Sequence, residues 1–199
     1  MLEAQIQNRL VECGTDEAGR GCLAGPVTAA AVILPQGFTH PYLNDSKQLS
    51  KKKRDTLRLE IEEIALSWAV VHVMMEEIDK INILNASITA MQRAIAKLDP
   101  KPGFIAVDGN RFKQMEGREH RCVVKGDGKY LHIAAASVLA KTHRDQFMAK
   151  IDAQHPQYSW KQNKGYPTAA HRQAIIEYGI TTYHRKSFQL LPRQFSLDI

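Results

Sequence analysis

The sequence predicts an α/β fold, a central mixed β-sheet flanked by α-helices. Three observations lead there. Two β-rich segments come first, later strands alternate with helical segments, and several apolar strands stop at a Gly-containing turn. Strands followed by strands separated by helices make a mixed sheet with helices packed on its faces. A chain of 199 residues can bury a substantial core. One domain over residues 1–199, with its core at about 10–190, is the expected organisation.

The elements justify themselves in order. "LVECGTDEA" and "VTAAAVILP" read as two strands of a hairpin joined by a Gly-rich connection. "LNDSKQLS" is a polar loop. Ser50 can cap a helix through "KKKRDTLRLEIEEIA", where Leu57, Ile61 and Ile64 fall at helical spacing. "LSWAVVHVMM" is a third strand, and "ILNASITAMQRAIAKL" a helix stopped by Asp99-Pro100. "GFIAVDGN" is a short buried strand ending in a turn, and "RCVVKGDG" repeats that design. An Ala-rich helix, "YLHIAAASVLAKTHRDQFMAKIDAQ", runs to Pro156, with "AAAS" suited to close packing on the sheet. "YSWKQNKGYPT" is a basic, aromatic loop, whose rings Tyr158, Trp160 and Tyr166 could stack on bases or sugars. "TAAHRQAIIEYG" is a last helix with Gly179 as its stop. "RQFSLDI" reads as a frayed tail.

Composition narrows the class. Lys and Arg number 27 against 21 Asp and Glu, a net charge of +6, compatible with a polyanionic partner without requiring one. Cys13, Cys22 and Cys122 are odd in number and lack CxxC spacing, which argues against a disulfide framework or zinc cage. No secretory h-region and no long apolar run is present, so a cytoplasmic protein without membrane attachment is expected.

Asp16, Glu17, Asp108 and Asp127 each sit where an apolar strand gives way to a Gly-containing turn. Strand ends of an open α/β sheet converge on one crevice. Four acids gathered there repel each other unless a cation holds them, and hard oxygen donors suit Mg²⁺ or Mn²⁺. Two such ions can activate water and stabilise the leaving oxygen of a phosphodiester. Turn-making explains any one Asp-Gly pair but explains the repeated placement less well. Neighbouring strand residues point to opposite faces, so Asp16 and Glu17 serve one site only if the strand end bends or bulges. Asp145 competes as an acid but lies well along a helix. His143, His171 and His184 show no metal-ligand spacing.

Taken together, "DEAGRG", "NDSK", "VDGN", "VKGD", "AAASVLAK", "RD" and "KGYPT", in this order from about Val11 to about Phe188, resemble the bacterial ribonuclease HII family. The resemblance implies the ribonuclease H-like fold and cleavage of RNA in RNA–DNA hybrids. It extends to single ribonucleotides in duplex DNA, cut on their 5′ side to leave a 3′-hydroxyl and a 5′-phosphate. It implies metal carboxylates at Asp16, Glu17, Asp108 and Asp127, with two Mg²⁺ or Mn²⁺ ions during catalysis. Gly19, Arg20 and Gly21 match the family's reader of the 2′-hydroxyl, Lys47 a phosphate contact, and Tyr166 a tyrosine that senses the RNA–DNA junction. A monomer is expected; the sequence names no replication partner and leaves the role of His143 open. A DNA nuclease or strand-transfer enzyme, and a silent nucleic-acid-binding module, are the competing classes. The acidic set together with "GRG" argues against both.

Overall fold

The computed structural model describes residues 2–43 and 49–191. Lys47, most of the "LNDSKQLS" loop and the "RQFSLDI" tail lie outside the described residues. Five strands form one sheet: β1 (Glu12–Ala18), β2 (Val27–Ile33), β3 (Ser67–Val73), β4 (Phe104–Asp108) and β5 (Glu119–Val123), in the order β3-β2-β1-β4-β5. β2 pairs antiparallel with β1 and β3, while β4 pairs parallel with β1 and β5, so the sheet is mixed as the sequence predicts.

Helices cover both faces. α1 (Lys51–Ile64) and α3 (Leu131–Asp152) lie on one side and α2 (Met75–Lys97) on the other. β2 is buried along its whole length because both of its faces are covered. Ala29, Ala31 and Ile33 join the α2 core; Ala30 and Val32 join the α3 core. β3 alternates, burying Ala69, Val71 and Val73. β5 is an edge strand carrying Glu119, His120 and Arg121, side chains that discourage pairing with another chain.

Small residues let α3 sit close. A Cβ placed on Gly14 would overlap the α3 backbone at His132 and Ile133, and Ala134, Ala135 and Ala136 are fully buried against the sheet. Ser50 caps α1, accepting from the Lys53 amide at 3.3 Å. Leu57 and Ile61 face the core, but Ile64 is exposed. α2 begins earlier than its periodicity suggests and kinks at Asn82 (φ 64°), whose side chain accepts from the Asn85 amide and restarts the helix. α4 (Trp160–Asn163) and α5 (Ala169–Tyr178) complete the fold, with Thr168 capping α5 and Gly179 (φ 77°) ending it.

Tyr158 and Trp160 correct the reading of the basic loop. Their rings stack at 4.8 Å with planes 12° apart, and both are buried with Leu23, Met148 and Ile175. Short helical turns at Pro156–Tyr158 and α4 roll these rings inward, leaving Tyr166 as the partly exposed aromatic of the segment.

Candidate active site

β1 and β4 run parallel, and their ladder stops at the Thr15–Val107 pair, one residue short of Asp16 and Asp108. The two carboxylates therefore stand at the carboxyl ends of adjacent strands, where the sheet opens. β1 meanwhile pairs with β2 through Ala18 in unbroken register, so no bulge joins the acids. Asp16 lies on the α3 side, bonded to the Ser137 side chain and accepting from the Glu17 amide at 2.6 Å. Glu17 lies on the α2 side, in a cavity of about 180 Å³ shared with Asp108, Arg20, Asn110 and Ser87. The two neighbours thus keep to opposite faces and meet around the end of the strand, through Asp108.

Electrostatics record that meeting. Burial, then the Glu17 and Asp108 charges, push the Asp16 carboxyl well above the ordinary carboxylate range. Burial raises Glu17 as well, with Arg20 opposing and Asp108 adding to the rise. Arg20 Nη1 stands 3.1 Å from Glu17 Oε1. Asp108 Oδ1 accepts from the Gly126 amide at 2.7 Å and so anchors the turn that carries Asp127. Asp127 is buried in the Gly126–Gly128 turn, four residues beyond the end of β5 rather than at the strand end itself. Among the described residues, no three His, Cys, Asp or Glu side chains already close into a metal cage. The donors are nonetheless all hard carboxylate oxygens, and the mutual repulsion of Asp16, Glu17 and Asp108 is what a divalent cation relieves. The residues fit such an ion.

The other sequence candidates separate. Asp145 is ion-paired to Lys141 along α3 and is not part of the carboxylate group. His143 bonds Glu62 at 2.8 Å, which ties α3 to α1 and gives this histidine a structural role. Gly19, Arg20 and Gly21 follow Glu17 directly on the rim; Gly19 has φ 92° and a Cβ there would overlap Arg144. Tyr166 is partly exposed, its hydroxyl bonded to the Cys22 side chain. Its loop docks on the same segment, since the Gly165 carbonyl accepts from the Leu23 amide at 2.7 Å.

Two groups behind this rim escape sequence reasoning. Arg144 and Arg185 are fully buried and bond the backbone of the Gly19–Pro26 segment. His171 and His184 form a chain with Trp160: the Trp160 indole donates to His171 Nε2 at 3.0 Å, and His171 Nδ1 donates to the Tyr166 carbonyl at 2.9 Å. His184 Nδ1 accepts from the Thr181 amide, which places its proton on Nε2, 3.3 Å from the His171 Nε2 that already accepts from Trp160. The only sequence signals were Arg144 inside "HRD" and a His thirteen residues from another.

Solved structures share this architecture. Ribonuclease H2 from Pyrococcus horikoshii superposes with a TM-score of 0.76 at 24% identity, covering 90% of this chain and 94% of that one. Ribonuclease HII from Archaeoglobus fulgidus, solved in complex with PCNA, gives 0.74 at 26% identity, covering 95% and 99%. The fold is that of the ribonuclease H class. The Ribonuclease HII family model matches residues 13–191. A ribonuclease HII from Christiangramia forsetii is 60% identical over 190 residues, 96% of each chain, and one from Parabacteroides distasonis is 58% identical over 197 residues, 99% of each. The chain belongs to the ribonuclease HII family, hydrolases that act as endonucleases on RNA–DNA hybrids.

Proposed function

We propose that residues 1–199 act as one catalytic domain that cuts RNA in RNA–DNA hybrids and also cuts 5′ of a single ribonucleotide embedded in duplex DNA, leaving a 3′-hydroxyl and a 5′-phosphate. The observation that carries the reading is the group Asp16, Glu17 and Asp108 where the β1–β4 ladder stops, in which the Asp108 charge adds to the raised proton affinity of both Asp16 and Glu17. In this reading Asp16, Glu17, Asp108 and Asp127 hold two divalent cations, Mg²⁺ or Mn²⁺. Such ions, when bound, supply activation of water and neutralisation of charge on the departing 3′ oxygen.

The chain's own groups do the rest. The Ser137 side chain and the Glu17 amide orient Asp16, and the Gly126 amide orients Asp108. Arg20 holds Glu17 until a cation competes for that carboxylate. The Gly19-Arg20-Gly21 backbone reads the 2′-hydroxyl, which donates and accepts and so separates RNA from DNA. That hydroxyl serves recognition, not attack. Tyr166 packs on the deoxyribose that follows the ribonucleotide. Lys47 contacts a phosphate, an assignment that rests on the "NDSK" motif. A replication partner is part of the proposal because the Archaeoglobus relative was solved bound to PCNA.

Mapping the products of a duplex with one ribonucleotide tests the reading. A fragment ending just before the ribonucleotide, with a 3′-hydroxyl that a polymerase extends, is expected. A 2′,3′-cyclic phosphate or a cut on the 3′ side would reject it.

A further inference from the structure

Arg144 and Arg185 are buried guanidinium groups, 1% and 0% exposed, and among the described residues neither forms an ion pair. Burying a charge is costly unless its hydrogen bonds are all made. Here each guanidinium makes three, one from each of its nitrogens, and all go to main-chain carbonyls. Arg185 donates to Gly19 at 2.7 Å, to Arg20 at 2.8 Å and to Gly25 at 3.0 Å. Arg144 donates to Pro26 at 2.9 Å, to Ala24 at 3.1 Å and, across the rim, to Lys164 at 2.9 Å. The two side chains draw the Gly19, Arg20, Ala24, Gly25 and Pro26 carbonyls inward, which turns other backbone groups of the segment outward. Among the described residues, the Arg20 and Gly21 amides donate no hydrogen bond within the protein, and nothing lies within 4 Å of a Cβ built on Gly21.

We propose that Arg144 and Arg185 are positioning residues for ribose selectivity: together they hold the Gly19–Pro26 segment with its Arg20 and Gly21 amides facing the cleft, and Arg144 fixes that segment's distance from the Tyr166 loop. The inference rests on the proposed reading that this backbone meets the 2′-hydroxyl, and it names what keeps the backbone in place. The planar fork of arginine is suited to the task because one side chain spans three carbonyls; the ammonium of lysine is a single point and cannot. Gly19 belongs to the same device. Its positive φ and lack of Cβ let Arg144 pass beneath the chain. Burial and the neighbouring Arg144 charge lower Arg185 to about 10, so at neutral pH it still holds its proton and all of its donors.

The test is binding without turnover. Affinities of Arg144→Lys, Arg185→Lys and the unsubstituted protein are measured in Ca²⁺ for a duplex with one ribonucleotide and for the matched all-DNA duplex. Each lysine variant is expected to lose at least tenfold in the ratio of the two affinities while all-DNA binding stays within about threefold. A parallel loss on both duplexes, or an unchanged ratio, would overturn the inference. If the unsubstituted protein itself shows no ribonucleotide preference, the 2′-hydroxyl reading fails instead, and the two failures are thereby distinguished. Should the lysine variants not fold, the unsubstituted protein decides by NMR. Slowly exchanging Nε protons on both arginines, with Arg20 and Gly21 amides that shift with the ribonucleotide duplex only, support the inference. Rapid exchange of those Nε protons, or equal amide shifts with both duplexes, would contradict it.

Discussion

Asp108 is the residue on which the carboxylate group turns, because it adds to the charge felt by both Asp16 and Glu17. Asp108→Asn is expected to abolish metal-dependent cleavage almost completely. In chelator the same variant should melt at or above the temperature of the unsubstituted protein, since a repelling charge is gone. A large drop in melting temperature would make Asp108 a structural turn residue that serves Gly126 alone. Tyr166→Ala should lose about ten- to a hundredfold in single-turnover cleavage of an embedded ribonucleotide, as removal of a ring contact worth roughly 1–3 kcal/mol implies. It should lose less on a continuous hybrid, where the junction sugar is absent; equal losses would leave Tyr166 as a packing residue. Tyr166→Phe keeps the ring and forfeits only the bond to Cys22, so most activity should remain. At this scale the nearness of Asp16, Glu17 and Asp108 was legible because each stands toward the end of a buried strand with a glycine soon after it, whereas Asp127 lies in the turn beyond β5. Arg144 and Arg185 were not legible, since an arginine within a polar stretch reads as a solvated face, and only the fold shows it bonded to carbonyls distant in sequence. Tyr158 and Trp160 were misread because lysines flank them, although their own burial decides their direction.

Among the elements, β1 and α3 form the contact that sets the site. α3 approaches β1 closely because Gly14 has no side chain and Ala134, Ala135 and Ala136 have little. That approach also brings Ser137 to Asp16. Gly14→Ala forces the α3 backbone away from the strand, and overpacking of this kind costs about 1–3 kcal/mol. In a chain of this length that corresponds to a fall of roughly 2–4 °C in melting temperature per kcal/mol. An unchanged melting temperature would mean that the helix can shift freely. The strands and the capped helices were legible from period and punctuation: Ser50, Thr168 and Gly179 act where the sequence places them. The start of α2 was hidden because Asn82, a residue that ordinarily marks a helix boundary, here marks a kink inside a longer element. The joining of Asp16 and Glu17 was also out of reach. Alternation correctly separates their faces, but the sequence cannot say where pairing with a distant strand stops.

Across the whole molecule, acid should loosen the fold through its buried histidines. His184 is lowered to about 4, by burial first and then by His171 and His155, and burial takes His132 to about 4 as well. The unfolded chain takes up protons near the ordinary 6.5 while the folded one does not, so this stability is present above 6.5 and is lost as pH falls toward 4. The urea midpoint should therefore fall over that window, and less steeply in His184→Gln; an identical slope would remove His184 from the effect. The mixed sheet was foreseeable from strands followed by alternating helices, and among the described residues no helix is long and apolar enough to cross a membrane. The connection of the fold to chemistry remains the central claim: carboxylates at the parted ends of β1 and β4 cut a phosphodiester beside a ribose. The most direct measurement is Mn²⁺- or Mg²⁺-dependent cleavage of three matched duplexes, all-DNA, one ribonucleotide and full hybrid, by the protein and by Asp108→Asn. Cleavage of both ribose-containing duplexes, with the all-DNA duplex intact and Asp108→Asn inactive on all three, is the predicted result. Cleavage of the all-DNA duplex, or undiminished activity in Asp108→Asn, would contradict it.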